Sequence, residues 1–119
     1  MKTFIYTIDE AIATIQYDHK ADNFATEFNA VLEDTIALGA KEILLDKGDI
    51  TPSTYSDALA AGKEIAGQLV HHGVRLAVIL RDDDHETKIA LAAASQEGAA
   101  VMIGKDRGEA YAWLKGQLR

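Results

Sequence analysis

Residues 60–80 read AAGKEIAGQLVHHGVRLAVIL, and this stretch decides the fold class. In its first half Gly62, Ile65, Ala66 and Leu69, continuing from Tyr55, Ala58 and Leu59, recur at helical spacing and make one apolar stripe. Gly73 stands where a left-handed residue closes a helix. The second half, VRLAVIL at 74–80, is the strongest strand in the chain, rich in Val, Ile and Leu. A dozen-residue helix delivering the chain straight into such a strand is the repeating step of a parallel α/β sheet.

The same alternation extends both ways. TFIYTI at 3–8 and AIATIQY at 11–17 are β-rich runs separated by Asp9-Glu10. A two-residue connection predicts an antiparallel hairpin, although Asp-Glu lacks the Gly or Asn that tight hairpin turns favour. Asp22 or Asn23 can cap the next helix, on which Phe24, Phe28, Val31, Leu32, Thr35 and Leu38 recur at helical spacing before Gly39. EILLD at 42–46 reads as a buried strand, and Thr51-Pro52 as the start of the second helix. Asp82 to Asp84 open a third helix running to Gly98, AAVMI at 99–103 is a last strand, and DRGEAYAWLKGQL a last helix. Asp106 followed three residues later by Glu109 resembles a capping box. The expected order is ββαβαβαβα. That is an α/β fold with a mixed, mostly parallel sheet of about five strands, an antiparallel hairpin strand at or near an edge, and helices packed on the sheet.

Bulk properties bound the rest. The 119 residues make one domain, 1–119, large enough to bury roughly two-thirds of its unfolded surface without a metal or disulfide staple. With no cysteine there is no disulfide, no thiolate nucleophile and no cysteine-based metal site. Nineteen acids against twelve bases give a net charge of −7, and no basic stripe offers itself to a phosphate backbone, so neither nucleic acid nor an anionic membrane surface is expected as a partner. Asp9 and Glu10 fall where a signal peptide would carry its apolar centre, and no run approaches the ~18 apolar residues of a membrane span. The expectation is a cytoplasmic protein without membrane insertion.

The most site-like stretch is LLDKGDITPSTYSDA at 44–58, where a strand hands over to a helix. Helix amino termini expose unpaired N–H groups, and the carboxyl ends of parallel strands are where open α/β sheets bind ligands. The candidate ligand- or partner-binding residues are Asp46, Asp49, Thr51, Ser53, Thr54 and Ser56. Against a phosphate site stand the charges of Asp46, Asp49 and Asp57, and Gly48 alone makes no phosphate loop. Thr51 as cap and Pro52 in the first turn account for most of the composition. The stretch reads first as a helix start and second as a docking surface, with Ser56 expected to face solvent.

Elsewhere RDDDHET at 81–87 supplies oxygens for a hard cation, but acids at a helix start are favoured by the dipole without one, and no metal is expected. His71 and His72 close the second helix, His19 and His85 are isolated, and no serine–histidine–acid spacing marks a triad. No catalytic constellation or cofactor is expected. Gly62 and Ala66 are small enough to let their helix lie close on a sheet or on a partner subunit. Tyr111, Trp113 and Leu114 cluster on the last helix, with Trp113 a core or rim anchor or an interface residue.

The element order, together with EILLDKGDITP, AAGKEIAGQLVHHGVRLAVI and GEAYAWL, resembles the STAS-like group of sulphate-transporter and anti-sigma-factor-antagonist domains, and more closely the SpoIIAA-like bacterial proteins of unknown function. The resemblance implies a non-catalytic regulatory domain working through a protein partner or by self-association as a homodimer. Anti-sigma-factor antagonists carry an Asp-Ser-Ser/Thr-Gly motif at the start of the helix after this strand, with its serine phosphorylated. Aligning Asp46 and Ile50 puts Thr54, Tyr55, Ser56 and Asp57 there, so only Ser56 matches a hydroxyl position and Tyr55 replaces the modified serine. The intact phosphoserine switch is therefore not implied. The alternative within the same fold is a small-molecule module holding a lipid or nucleotide beside Leu59, Ile65 and Leu69.

Overall fold

A computed structural model of the chain describes residues 4–17, 24–48, 55–80 and 85–116. The elements are β1 (Phe4–Asp9), β2 (Ile12–Tyr17), α1 (Phe24–Ala37), β3 (Glu42–Gly48), α2 (Tyr55–His72), β4 (Arg75–Leu80), α3 (His85–Gln96), β5 (Val101–Gly104) and α4 (Arg107–Leu114). The five strands lie side by side in chain order, β1 antiparallel to β2 and the rest parallel. This is the mixed α/β sheet that the sequence pattern predicts.

The sheet is covered on both faces, unequally. Ala13, Ile15, Ile43, Leu45, Leu76 and Val78 point to one side, where they meet Phe28 and Leu32 of α1, Ile65, Ala66 and Leu69 of α2, and Leu91 and Ala94 of α3. Ile12, Leu44 and Ala77 point to the other, where Ala110 and Leu114 of α4 cover them. Central strands buried on both faces cannot alternate, so EILL and LAVIL read as continuous apolar runs. The edge strand β1 does alternate: Tyr6 and Ile8 pack on the three-helix core, whereas Ile5 and Thr7 are exposed.

Helix-to-strand passages share one cap. Gly39 sits at φ 102°, its N–H donates to the Ile36 carbonyl, and the Ala40 N–H donates back to Thr35. This bond pair, six-to-one and five-to-two, closes α1 and satisfies two of its last carbonyls. The same two bonds recur at Gly73-Val74 and at Gly98-Ala99. The residue after each glycine is buried, so each cap also pins the chain to the core just before the next strand.

The hairpin turn differs from the expectation by one residue. Asp9 pairs with Ile12, so the two turn residues are Glu10 and Ala11, at φ 53° and 65°. Positive φ at both positions marks a turn whose twist matches the strands, normally made by Asn-Gly. Two L-residues with side chains hold it here, helped by the Ala11 carbonyl, which accepts from Lys41 and Glu42 N–H at 2.8 and 3.2 Å. The double variant Glu10→Asn/Ala11→Gly should therefore raise unfolding free energy by about 1–2 kcal/mol. Urea denaturation reads this as a higher midpoint at constant slope. An unchanged midpoint would show that the turn is not strained.

Two further expectations are corrected. Leu38, placed on the apolar stripe of α1, is 63% exposed, because the helix ends at Ala37 and the chain is already turning into the Gly39 cap. Gly62 and Ala66 are buried inside the molecule, and a Cβ on Gly62 would stand 2.2 Å from the Ala90 carbonyl oxygen. The small size of Gly62 serves the crossing of α2 and α3, and Ala66 lies in the main core.

Candidate functional site

Of the candidate residues on the β3–α2 passage, Asp46 is the one whose side chain can be placed. Asp49, Thr51, Ser53 and Thr54 lie outside the described residues, as do the side chains of Ser56 and its neighbours Tyr55 and Asp57. Ser56 itself belongs to the first turn of α2.

Asp46 is half-buried near the carboxyl end of β3, just before the register of β3 on β4 shifts between Asp46 and Gly48. It points to the α4 side of the sheet, like Leu44 two residues earlier. There Arg107 Nε donates to its Oδ2 at 3.2 Å. Arg107 is the first residue of α4, and a reciprocal cap fixes that end of the helix. Asp106 Oδ1 accepts from Glu109 N–H at 2.9 Å, and Glu109 Oε1 accepts from Lys105 N–H at 3.1 Å. This is the expected capping box with one difference: the glutamate closes on the residue before the cap.

The Asp46–Arg107 pair thus lies at the carboxyl edge of the sheet, beside the cap that Asp106 and Glu109 make at the start of α4. The Asp46–Arg107 pair remains partly exposed, at 28% and 42% of the side chains. A pair this open contributes about 0–1 kcal/mol, so it orients groups at the surface more than it stabilises the fold.

At the opposite end of α4 the anchoring is stronger. Arg75 at the start of β4 donates from Nε to Glu42 Oε2 at 2.9 Å and from Nη2 to Glu42 Oε1 at 3.2 Å. The same guanidinium donates to the Leu114 carbonyl and lies 5.0 Å from the centre of the Trp113 ring. Trp113 is half-buried, a rim anchor under a cation as its sequence position allowed. Beside it, Tyr111 Oη and Thr14 Oγ1 share a hydrogen bond. Asp9, Glu10, Ile12, Thr14, Tyr111 and Lys115 line a cleft of about 280 Å³ between the hairpin and α4. Sequence reasoning missed this set, whose members come from the two ends of the chain and share no motif.

His71 and His72 are exposed at the end of α2, their rings edge to face at 4.7 Å, and His85 is exposed at the start of α3. Asp82, Asp83 and Asp84 lie outside the described residues. No three metal-ligating side chains gather among the described residues. Ile65 and Leu69, expected beside an apolar ligand, belong to the main core, and Leu59 is half-buried. No helix among the described residues is long and apolar enough to cross a membrane. Against family models, curated proteins and solved structures, the chain matches none. The fold and the site together define an α/β domain whose charged corner lies at the carboxyl edge of its parallel strands.

Proposed function

We infer that this chain is a non-catalytic regulatory domain that acts through protein contacts, made at the carboxyl-edge corner where β3 leads into α2. The observation that carries the reading is the Asp46–Arg107 pair. It holds a partly exposed charge of each sign beside the passage that bears the candidate hydroxyls, on a rigid strand and a capped helix. Rigid polar groups at such an edge suit partner recognition, since little ordering entropy remains to be lost on contact. The resemblance to STAS-like domains supports the same surface, with Ser56 as its matching hydroxyl. Self-association as a homodimer belongs to this reading.

Affinity capture from the native host, paired with light scattering of the purified chain, tests it. The expected result is a stoichiometric protein partner or a mass of twice the chain, either one lost in Asp46→Ala and in Ser56→Asp while the fold is retained. A strict monomer that recovers no partner overturns the reading. Intact-mass analysis of protein from the native host reports separately whether a hydroxyl is phosphorylated.

A further inference from the structure

The cleft between the hairpin and α4 has a charge pattern of its own. Asp9 and Glu10 bring two exposed carboxylates from the hairpin, and Lys115 brings an exposed ammonium from the end of α4. Among the described residues none of the three has an ion-pair partner. The Lys115 ammonium lies 6.0 Å from the centre of the Tyr111 ring. Between these groups are the buried side chain of Ile12 and the hydroxyls of Thr14 and Tyr111. Each hydroxyl keeps unused hydrogen-bonding capacity after the bond they share.

Each simple occupant fails on one of these features. A bare anion meets two carboxylates. A bare cation meets Lys115. A divalent metal wants several oxygen or nitrogen ligands, and no such group of three gathers among the described residues. At about 280 Å³ the cleft lies at the lower end of the ~300–1,000 Å³ of ordinary ligand pockets, a size that favours a small molecule over a lipid chain or nucleotide. A small molecule carrying one charge of each sign answers both the carboxylates and the ammonium of the lining. We propose that this cleft binds a small zwitterion of the amino-acid class. Its ammonium faces Asp9 and Glu10, its carboxylate faces Lys115, and its carbon skeleton rests on Ile12. This site is separate from the protein-contact corner at the far end of α4 and does not depend on that reading.

Because the charged groups are exposed and screened, binding is expected near ~1 mM. The test is an amide-resolved NMR titration of the labelled chain with glycine, L-alanine and γ-aminobutyrate, against acetate and methylammonium at equal ionic strength. At least one zwitterion should saturably shift the amides of residues 9–14 and 111–115, and each singly charged control should bind about tenfold more weakly. Lys115→Met and the double variant Asp9→Asn/Glu10→Gln should each weaken binding about fivefold while the spectrum stays dispersed. The proposal is overturned by the absence of saturable shifts up to ~20 mM, by controls that act as strongly as the zwitterions, or by variants that bind unchanged.

Discussion

Gly62→Val should be the most damaging single change on α2, lowering unfolding free energy by about 4 kcal/mol, at the upper end of overpacking effects. A Cβ at this position would come within 2.2 Å of the Ala90 oxygen, 3.0 Å of its carbonyl carbon and 3.1 Å of its Cα. All three are backbone atoms of α3, so no rotamer change relieves the clash and the two helices must move apart. Separation opens the shared core, in which Ile65 and Ala66 of α2 and Leu91 and Ala94 of α3 are buried. Even Gly62→Ala should destabilise by about 1–2 kcal/mol, the clash outweighing the gain in helix propensity of about 1 kcal/mol. Gly67 supplies the control. It lies on the same helix, is exposed, and a Cβ there meets nothing within 4 Å. Gly67→Ala should therefore stabilise by about 0.5–1 kcal/mol. Chemical denaturation of the three variants decides the matter: if Gly62→Ala and Gly67→Ala move the midpoint in the same direction, the close crossing is not what glycine is there for.

The contrast between those two glycines shows where sequence stops being legible. Both stand five residues apart on one amphipathic helix, and helical spacing assigns Gly62 to the buried stripe and Gly67 off it. Spacing cannot say what the stripe faces. Gly62 meets α3, some thirty residues later in the chain, and only the sheet order brings the two helices together. Periodicity, turn glycines and element alternation are local signals, which is why the order of elements and the capping box at Asp106 were readable. The hairpin turn was misplaced by one residue because its positive-φ positions are filled by Glu10 and Ala11, which carry no turn signature.

The candidate sites divide along the same line. Asp46 was legible as the acid ending an apolar strand, but its partner Arg107 is 61 residues away and no spacing rule joins them. The cleft was less legible still. Tyr111 read as part of an aromatic cluster on the last helix and Asp9 as part of a turn. They line one surface because α4 packs across the face of the sheet that the other three helices leave open. Where binding depends on how layers stack, a single sequence holds the residues and not their meeting.

Phe28→Ala and Leu38→Ala test this boundary directly, since helical spacing puts both large apolar residues on one stripe and the structure buries only Phe28. Phe28 is fully buried among Leu32, Ile15, Ile43 and Leu69 in the main core. Truncating it removes an aromatic ring from a site hemmed in by strands and a neighbouring helix, which can close only part of the void. The expected cost is about 3–5 kcal/mol. That is a large fraction of the 5–15 kcal/mol that holds a typical domain folded. Collapse is further resisted from the α2 side, where Gln68 Nε2 donates to the Asn29 carbonyl at 3.0 Å and to Asn29 Oδ1 at 2.9 Å, tying the two helices together one residue from the cavity. Leu38 lies ten residues on, which at 3.6 residues per turn puts it about 80° around the helix from Phe28. It also lies past the last helical residue and is 63% exposed. Its truncation removes little apolar area from contact and should change stability by less than about 0.5 kcal/mol. Denaturation midpoints at constant slope would show Phe28→Ala far below the parent chain and Leu38→Ala beside it. Comparable losses in the two variants would mean that α1 continues through Leu38 onto the core, and that the Gly39 cap closes the helix later than Ala37.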